Sequence, residues 1–394
     1  MPTSPHKHDD WQAALAKRRD EALLRSLHVT DADADAAQWV ERDGNRLLNL
    51  SSNDYLGLSQ HPRLKQAACD AIQRFGTGSG ASRLVSGHGS LHAKVEAKFA
   101  TFKHAEAALI CPTGYQANLA AITALAAESD LICIDKLSHA SLIDAAFASG
   151  ATVRVFPHLN YVKLERLLER DAKRRFILTD SIFSMDGDAA DLPALCDLAD
   201  KHDAILIVDE AHGTGVLGES GAGLCEAQGV SERVDVVIST ASKAMGGLGG
   251  IITSSRPIIE TIVNHARPFI YTTAVPAGQV AAIGAAIDVI RDEPERRVRL
   301  AAITRHVRNQ LETWGLLEIC EAAGGVETPI IPIITGSTES AAALADRLAT
   351  RGILAPAIRP PTVAAGAARV RLSLRADLTD EEVAMLLDAL QPIE

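Results

Sequence analysis

Short apolar runs alternate with helical patterns through the middle of the chain. The runs fall at 107–111, 131–135, 152–156, 175–179, 204–208, 234–239 and 249–254. Leu131-Ile132-Cys133-Ile134 and Ala204-Ile205-Leu206-Ile207-Val208 are apolar throughout rather than alternating with polar residues. Strands of that kind are buried on both faces, and the helices between them supply the cover. The alternation predicts an α/β unit built on a large, mostly parallel, seven-stranded sheet.

A charged amphipathic helix is expected over residues 11–28, with Trp11, Leu15, Leu23, Leu24 and Leu27 on its apolar side. An extended segment, Leu47 to Leu58, leads into the alternating region. After Pro276 a long helix is expected from Ala277 to Arg291. The rhythm then changes to strands near 329–334, 353–358 and 368–374, with helices near 338–351 and 379–390. That order describes a smaller α+β unit. The expected organisation is 1–50 as an N-terminal helix and lead-in packed with the small unit, 51–280 as the large domain, and 281–394 as the small domain. No repeat or low-complexity linker separates these parts, so they should pack closely.

Composition narrows the class. At 394 residues the chain can bury a large core, and 47% hydrophobic content with 4% aromatics makes that core one of Ala, Leu, Ile and Val. The net charge of −11 argues against a nucleic-acid or anionic-membrane surface. No apolar stretch is long enough to span a bilayer, and the first ten residues lack the apolar core of a signal peptide. Cys69, Cys111, Cys133, Cys196, Cys225 and Cys320 are scattered without a CxxC pair, so reduced thiols in a cytoplasmic protein are expected. The histidines lack the ligand spacing of a zinc site.

Two strand ends carry the chemistry. Val234-Asp235-Val236-Val237-Ile238 runs into Ser239-Thr240-Ala241-Ser242-Lys243, and the strand ending at Val208 runs into Asp209-Glu210-Ala211-His212-Gly213. A strand end is a rigid mount, where a lysine can be desolvated enough for its amine to attack a carbonyl. Taken singly, Lys243 reads as a surface lysine and Asp209 as a helix N-cap. Together they match the needs of pyridoxal phosphate, a Schiff-base lysine and a carboxylate at the pyridine nitrogen. Hydroxyls of Ser239, Thr240 and Ser242 can hold its phosphate. Pro112-Thr113-Gly114-Tyr115 joins the first core strand to a helix, whose N-terminus favours an anion. His139 follows another strand and can stack on an aromatic cofactor. His212 can donate to the cofactor's phenolic oxygen.

Three other matches fail on context. Asp209-Glu210-Ala211-His212 spells a helicase acidic box, but no GxxxxGK[ST] loop accompanies it. Gly213-Thr214-Gly215-Val216-Leu217-Gly218 fits GxGxxG, yet runs into more glycines instead of a helix. Thr240-x-x-Lys243 approximates the SxxK acylase motif without its SDN and KTG companions.

Across nearly its whole length the chain resembles the α-oxoamine synthase family, pyridoxal-phosphate enzymes of the aspartate-aminotransferase fold type (fold type I). The motifs that carry the resemblance are Leu50-Ser51-Ser52-Asn53-Asp54-Tyr55-Leu56-Gly57-Leu58, the GTGSGASR run from Gly76 to Arg83, Pro112-Thr113-Gly114-Tyr115, Ser138-His139-Ala140-Ser141, Phe183-Ser184-Met185-Asp186-Gly187-Asp188, Asp209 to Gly213, and Thr240-x-x-Lys243.

The resemblance implies that Lys243 carries pyridoxal phosphate covalently and then serves as acid and base at the substrate Cα. It implies that Asp209 keeps the pyridine nitrogen protonated and that His139 stacks on the ring. His212 and Ser184 are implied at the phenolic oxygen, and Gly114, Tyr115 and Thr240 at the phosphate. Arg359 is implied as the clamp on an amino-acid carboxylate, Arg25 and Thr362 as contacts to the acyl or product end, and Asn53 as a pocket wall. The implied reaction joins an amino acid to an acyl thioester, on CoA or a carrier protein, with loss of carbon dioxide. Within the family, the Gly76–Gly87 stretch and Arg359-Pro360-Pro361-Thr362-Val363 most resemble the biotin-pathway branch, which uses L-alanine and a pimeloyl thioester. A homodimer with active sites at the subunit interface is also implied. Other branches, glycine C-acetyltransferase among them, share the cofactor motifs. A non-catalytic homologue would have no need of Lys243.

Overall fold

The computed structural model describes residues 8–21, 23–317 and 326–392; Cys320 lies outside them. Three short strands come first: β1 Thr30–Ala32, β2 Trp39–Arg42 and β3 Asn45–Asn49. Seven follow: β4 Ala107–Cys111, β5 Leu131–Asp135, β6 Thr152–Phe156, β7 Arg175–Asp180, β8 Ala204–Asp209, β9 Val236–Thr240 and β10 Gly250–Ser254. The last four are β11 Ile330–Gly336, β12 Ile353–Leu354, β13 Ala357–Ile358 and β14 Ala368–Ser373.

The seven central strands form one sheet in the order β4-β10-β9-β8-β7-β5-β6. β5, β6, β7, β8 and β9 pair in parallel, whereas β10 is antiparallel to both neighbours. Six strands therefore run one way and β10 the other. Leu131, Ile132, Cys133, Ile134, Leu206, Ile207 and Val208 are almost fully buried, because helices cover both faces. This is the α/β fold that the apolar runs predict, with strand bounds within two residues of expectation.

The pairing fixes where chemistry can occur. Asp180 pairs with Asp209, Asp209 with Ile238, and Thr240 with Gly250, which also pairs with Cys111. The carboxyl ends of β4, β5, β7, β8 and β9 thus open onto one edge, the place where open α/β sheets bind ligands.

Two smaller sheets flank this layer. β11-β14-β13 is antiparallel, and β12 adds in parallel to β3 at the edge of β1-β2-β3. The indole N–H of Trp39 donates to Glu382 of the C-terminal helix Asp380–Leu390 at 2.5 Å, tying the N-terminal sheet to the end of the chain.

Two expectations need correction. The stretch 353–358 is two short strands in different sheets rather than one. Pro356 has no N–H to offer a ladder, and Ala355-Pro356 is where the chain changes sheet. The first helix spans only Asp9–Asp20, not 11–28. None of its residues is buried, and Trp11, Leu15 and Leu27 stay exposed. Without packing on its apolar side, propensity alone sustains only a short helix.

Candidate active site

The sheet edge encloses a cavity of about 220 Å³, lined by Thr113, Gly114, Tyr115, Asn118, His139, Ser141, Asp180, Asp209, Ala211, His212, Thr240, Ser242 and Lys243. Six of the residues singled out for the cofactor from sequence patterns meet here: Gly114, His139, Asp209, His212, Thr240 and Lys243. Tyr115 joins them, its hydroxyl donating to Asp144.

Each side chain is held by its element. Lys243 lies three residues past the end of β9, and Nζ is 2.7 Å from Nε2 of His212. The enclosing protein disfavours an ammonium and brings the Lys243 amine down to about 8, although Asp209 and Asp180 pull the other way. His212 is buried, and burial together with Lys243 pushes its imidazole well below the usual range. It is therefore a neutral ring. Nδ1 of His212 lies 2.7 Å from the Tyr55 hydroxyl.

Asp209 closes the opposite wall. Oδ2 accepts from Asn118 Nδ2 at 2.7 Å, and Oδ1 from the Ala211 N–H at 2.8 Å. Asn118 also donates to Ser141 Oγ at 2.8 Å. Next to Asp209, burial and that like charge push Asp180 well up, and Asp180 accepts the His139 N–H at 2.9 Å. His139 caps the helix Ala140–Ala148 and leaves its ring exposed on the cavity wall.

The third wall suits an anion. Helix Gly114–Leu125 begins there, capped by Thr113, and Gly114 and Tyr115 of its first turn, whose N–H groups have no partner within the helix, line the cavity. The Thr240 hydroxyl lies 2.8 Å from that of Ser242. The backbone approach is close: a Cβ at Gly250 would stand 2.2 Å from the Thr113 carbonyl oxygen. Gly250 therefore has no tolerated replacement with a side chain, and the requirement seats the Gly114 helix beside Thr240.

Other expected residues sit elsewhere. Ser184 lies in a turn outside the lining of this cavity. Its loop docks on the C-terminal unit, where Arg369 pairs with Asp186 and Thr328 donates to the Gly187 carbonyl at 2.6 Å. Arg359 lines a separate cavity of about 670 Å³ with Arg42, Asp43, Asp346 and Ser51. Arg25 donates to Thr362 at 3.3 Å on the exposed surface. Asn53 does belong near the site, since its Oδ1 accepts from Arg371 at 3.0 Å and lies 3.2 Å from the Tyr55 hydroxyl.

Sequence patterns pass over Asn118, Ser141 and Tyr55 as site residues, and offer Arg371 only as a substitute for Arg359. Asn118 carries a legible signal, being one helical turn beyond Gly114 on the same face. Arg371 carries another: arginines at 369 and 371 alternate with Ala368, Val370 and Leu372 in one strand and are both buried.

The donor set fits pyridoxal phosphate: a partly desolvated amine, a carboxylate fixed by two donors, and an anion cradle of backbone N–H groups and hydroxyls. Fold and site together define a pyridoxal-phosphate enzyme, and the chain belongs to the aminotransferase class I and II family, which it matches over residues 45–390. Its curated relatives include the 8-amino-7-oxononanoate synthase of Methylobacillus flagellatus, 42% identical over 389 residues, covering 98% of this chain and 96% of that one. The enzyme of the same name from Anaeromyxobacter dehalogenans is 44% identical over 386 residues, covering 98% and 95%. Among solved structures, serine palmitoyltransferase from S. paucimobilis with a bound PLP–myriocin aldimine has a TM-score of 0.91 at 28% identity, covering 98% and 97%. The 8-amino-7-oxononanoate synthase of Francisella tularensis has 0.76 at 28%, covering 87% and 96%. The chain is an acyltransferase-type enzyme that uses pyridoxal phosphate. No helix among the described residues is long and apolar enough to cross a membrane.

Proposed function

We propose that the enzyme condenses L-alanine with a pimeloyl thioester, on CoA or a carrier protein, to give 8-amino-7-oxononanoate, the free thiol and carbon dioxide, as a cytoplasmic homodimer in biotin biosynthesis. The single observation behind the chemistry is the Lys243 amine, brought down to about 8 and poised between His212 and the Asp209 wall. The choice of substrates rests on the relatives at 42–44% identity, because the two solved neighbours share the same 28%.

Pyridoxal phosphate, when bound, supplies the electron sink that makes the substrate Cα–H acidic. Lys243 would hold it, and its amine would take the Cα proton and later return one to the same carbon. Asp209, oriented by Asn118 and the Ala211 N–H, keeps a proton on the pyridine nitrogen. His139 covers the ring face, His212 donates at the phenolic oxygen, and Gly114, Tyr115, Thr240 and Ser242 hold the phosphate. Ser184, in the turn outside the cavity lining, is the second residue expected at that oxygen.

The alanine carboxylate falls to Arg371 rather than Arg359. Arg371 is buried beside Tyr55 and Asn53, linked to His212 through the Tyr55 hydroxyl, and its Nε is without a partner among the described residues. A planar guanidinium with a spare N–H suits a carboxylate. Arg25 and Thr362 remain assigned to the acyl or product end. The dimer reading draws on exposed Leu84, Val85 and Tyr271, which flank the Ser82–Thr273 bridge and the Gln116–Thr272 hydrogen bond next to the anion cradle.

A donor screen tests the assignment: acetyl-, succinyl-, palmitoyl- and pimeloyl-CoA, each with alanine, glycine and serine, with products read by mass. Alanine with the pimeloyl donor should turn over fastest. A faster glycine–acetyl or serine–palmitoyl pair would replace the substrate reading and leave the cofactor roles standing.

A further inference from the structure

We propose that Tyr55 is a positioning residue that sets the tautomer of His212, fixing its hydrogen on Nε2, the ring nitrogen that faces Lys243. The inference deepens the reading of His212 as a donor to the cofactor's phenolic oxygen, and rests on it. An oxygen of that kind can be served only by the nitrogen that carries hydrogen.

Tyr55 is fully buried, and its hydroxyl meets three groups: His212 Nδ1 at 2.7 Å, Asn53 Oδ1 at 3.2 Å and Arg371 Nη2 at 3.3 Å. A guanidinium only donates, so the phenol oxygen accepts from Arg371. The single phenol hydrogen then goes to His212 Nδ1 or to Asn53 Oδ1. The imidazole nitrogen is the nearer and stronger acceptor, and Asn53 Oδ1 is already served by Arg371 at 3.0 Å. Burial lifts the phenol to about 12, so its hydrogen is not lost to solvent.

With the ring neutral and Nδ1 accepting, its one N–H is on Nε2. Among the described residues no other group bonds Nδ1. A Lys243 ammonium would press the opposite tautomer on the ring, so Tyr55 decides once the Lys243 nitrogen is bound to the cofactor. Tyr55 touches neither substrate nor cofactor in this account. It acts through His212, and through the Arg371 contact it links the carboxylate clamp to the cofactor side of the site.

The test is nitrogen NMR of holoenzyme labelled with ¹⁵N-histidine and free of substrate, with His212 assigned by its loss in His212→Gln. Wild type should show hydrogen on Nε2 and a bare Nδ1. Tyr55→Phe, matched in shape and checked by its melting temperature, should populate the Nδ1–H form. Its kcat should fall about tenfold with a smaller change in KM for alanine, as loss of one hydrogen bond predicts. Hydrogen on Nδ1 in wild type would overturn the proposal without reference to any variant. So would a Tyr55→Phe spectrum that keeps the wild-type pattern. Neither reading depends on which amino acid or thioester is used, so a failed substrate assignment leaves this result interpretable.

Discussion

Lys243 and His212 face each other at 2.7 Å, Nζ to Nε2, each three residues past the end of its strand in the adjacent parallel pair β9 and β8. The pairing of a neutral imidazole with a partly desolvated amine keeps Lys243 ready to attack an aldehyde near neutral pH. Arg371 and His212 contribute no negative charge to hold it protonated, and only the Asp209 and Asp180 wall does so.

Lys243→Ala should lose the borohydride-reducible cofactor linkage and all turnover while melting close to wild type. In the unmodified apo chain, the rate of cofactor capture should rise with pH and level off above about 8, as the amine loses its proton. The sign for stability agrees. The folded value lies below the 10.5 of an unfolded lysine, so the apo fold gains stability as pH rises from about 8 toward 10.5. A pH-independent capture rate would contradict the depressed amine.

Asp209→Asn should keep part of the cofactor and lose turnover by roughly a hundredfold or more, the range of a displaced catalytic proton. The amide oxygen can still accept from Asn118, so the geometry survives while the charge does not. Undiminished turnover would remove Asp209 from the pyridine nitrogen.

Arg371→Ala and Arg359→Ala separate two clamps. A charge-assisted hydrogen bond contributes about 1.5–3 kcal/mol, so Arg371→Ala should weaken alanine binding at least about tenfold. Arg359→Ala should leave it nearly unchanged. Alanine titration followed through the cofactor's visible absorption reads both, and a reversed order would restore Arg359 to the carboxylate.

Much of this was legible in the sequence because parallel strands buried on both faces are written as apolar runs, and their carboxyl ends carry the polar residues that follow. Lys243, Asp209, His212 and His139 all sit just past such runs, so one rule finds them together. The Tyr55–Arg371 link was harder to place because the two residues come from segments 316 residues apart that meet only in the fold. Arg359 shows the opposite difficulty. Its prolines make a stiff mount, but stiffness does not say which cavity the mount faces.

His158 offers a test of the scaffold. Its ring lies between Asp135 at 2.9 Å and Asp188 at 2.6 Å, and although burial opposes the charge, those two carboxylates raise it to about 9. The folded value exceeds the unfolded 6.5, so the contribution is complete below about 6.5 and is lost as pH rises through about 9. His158→Gln should destabilise on the order of 2 kcal/mol at mildly acid pH, with the difference shrinking toward zero above pH 9. Denaturant melts across that range measure it, and a pH-independent difference would reject the charged bridge.

Decarboxylative condensation at Lys243 separates the carboxyl carbon of alanine from its nitrogen, and doubly labelled alanine follows both. Alanine carrying ¹⁵N on the amine and ¹³C in the carboxyl is turned over with pimeloyl-CoA, and the product is weighed. The product should keep the ¹⁵N while the ¹³C leaves as carbon dioxide. A keto acid that retains the ¹³C and has lost the ¹⁵N would show amino transfer instead, and would contradict the condensation.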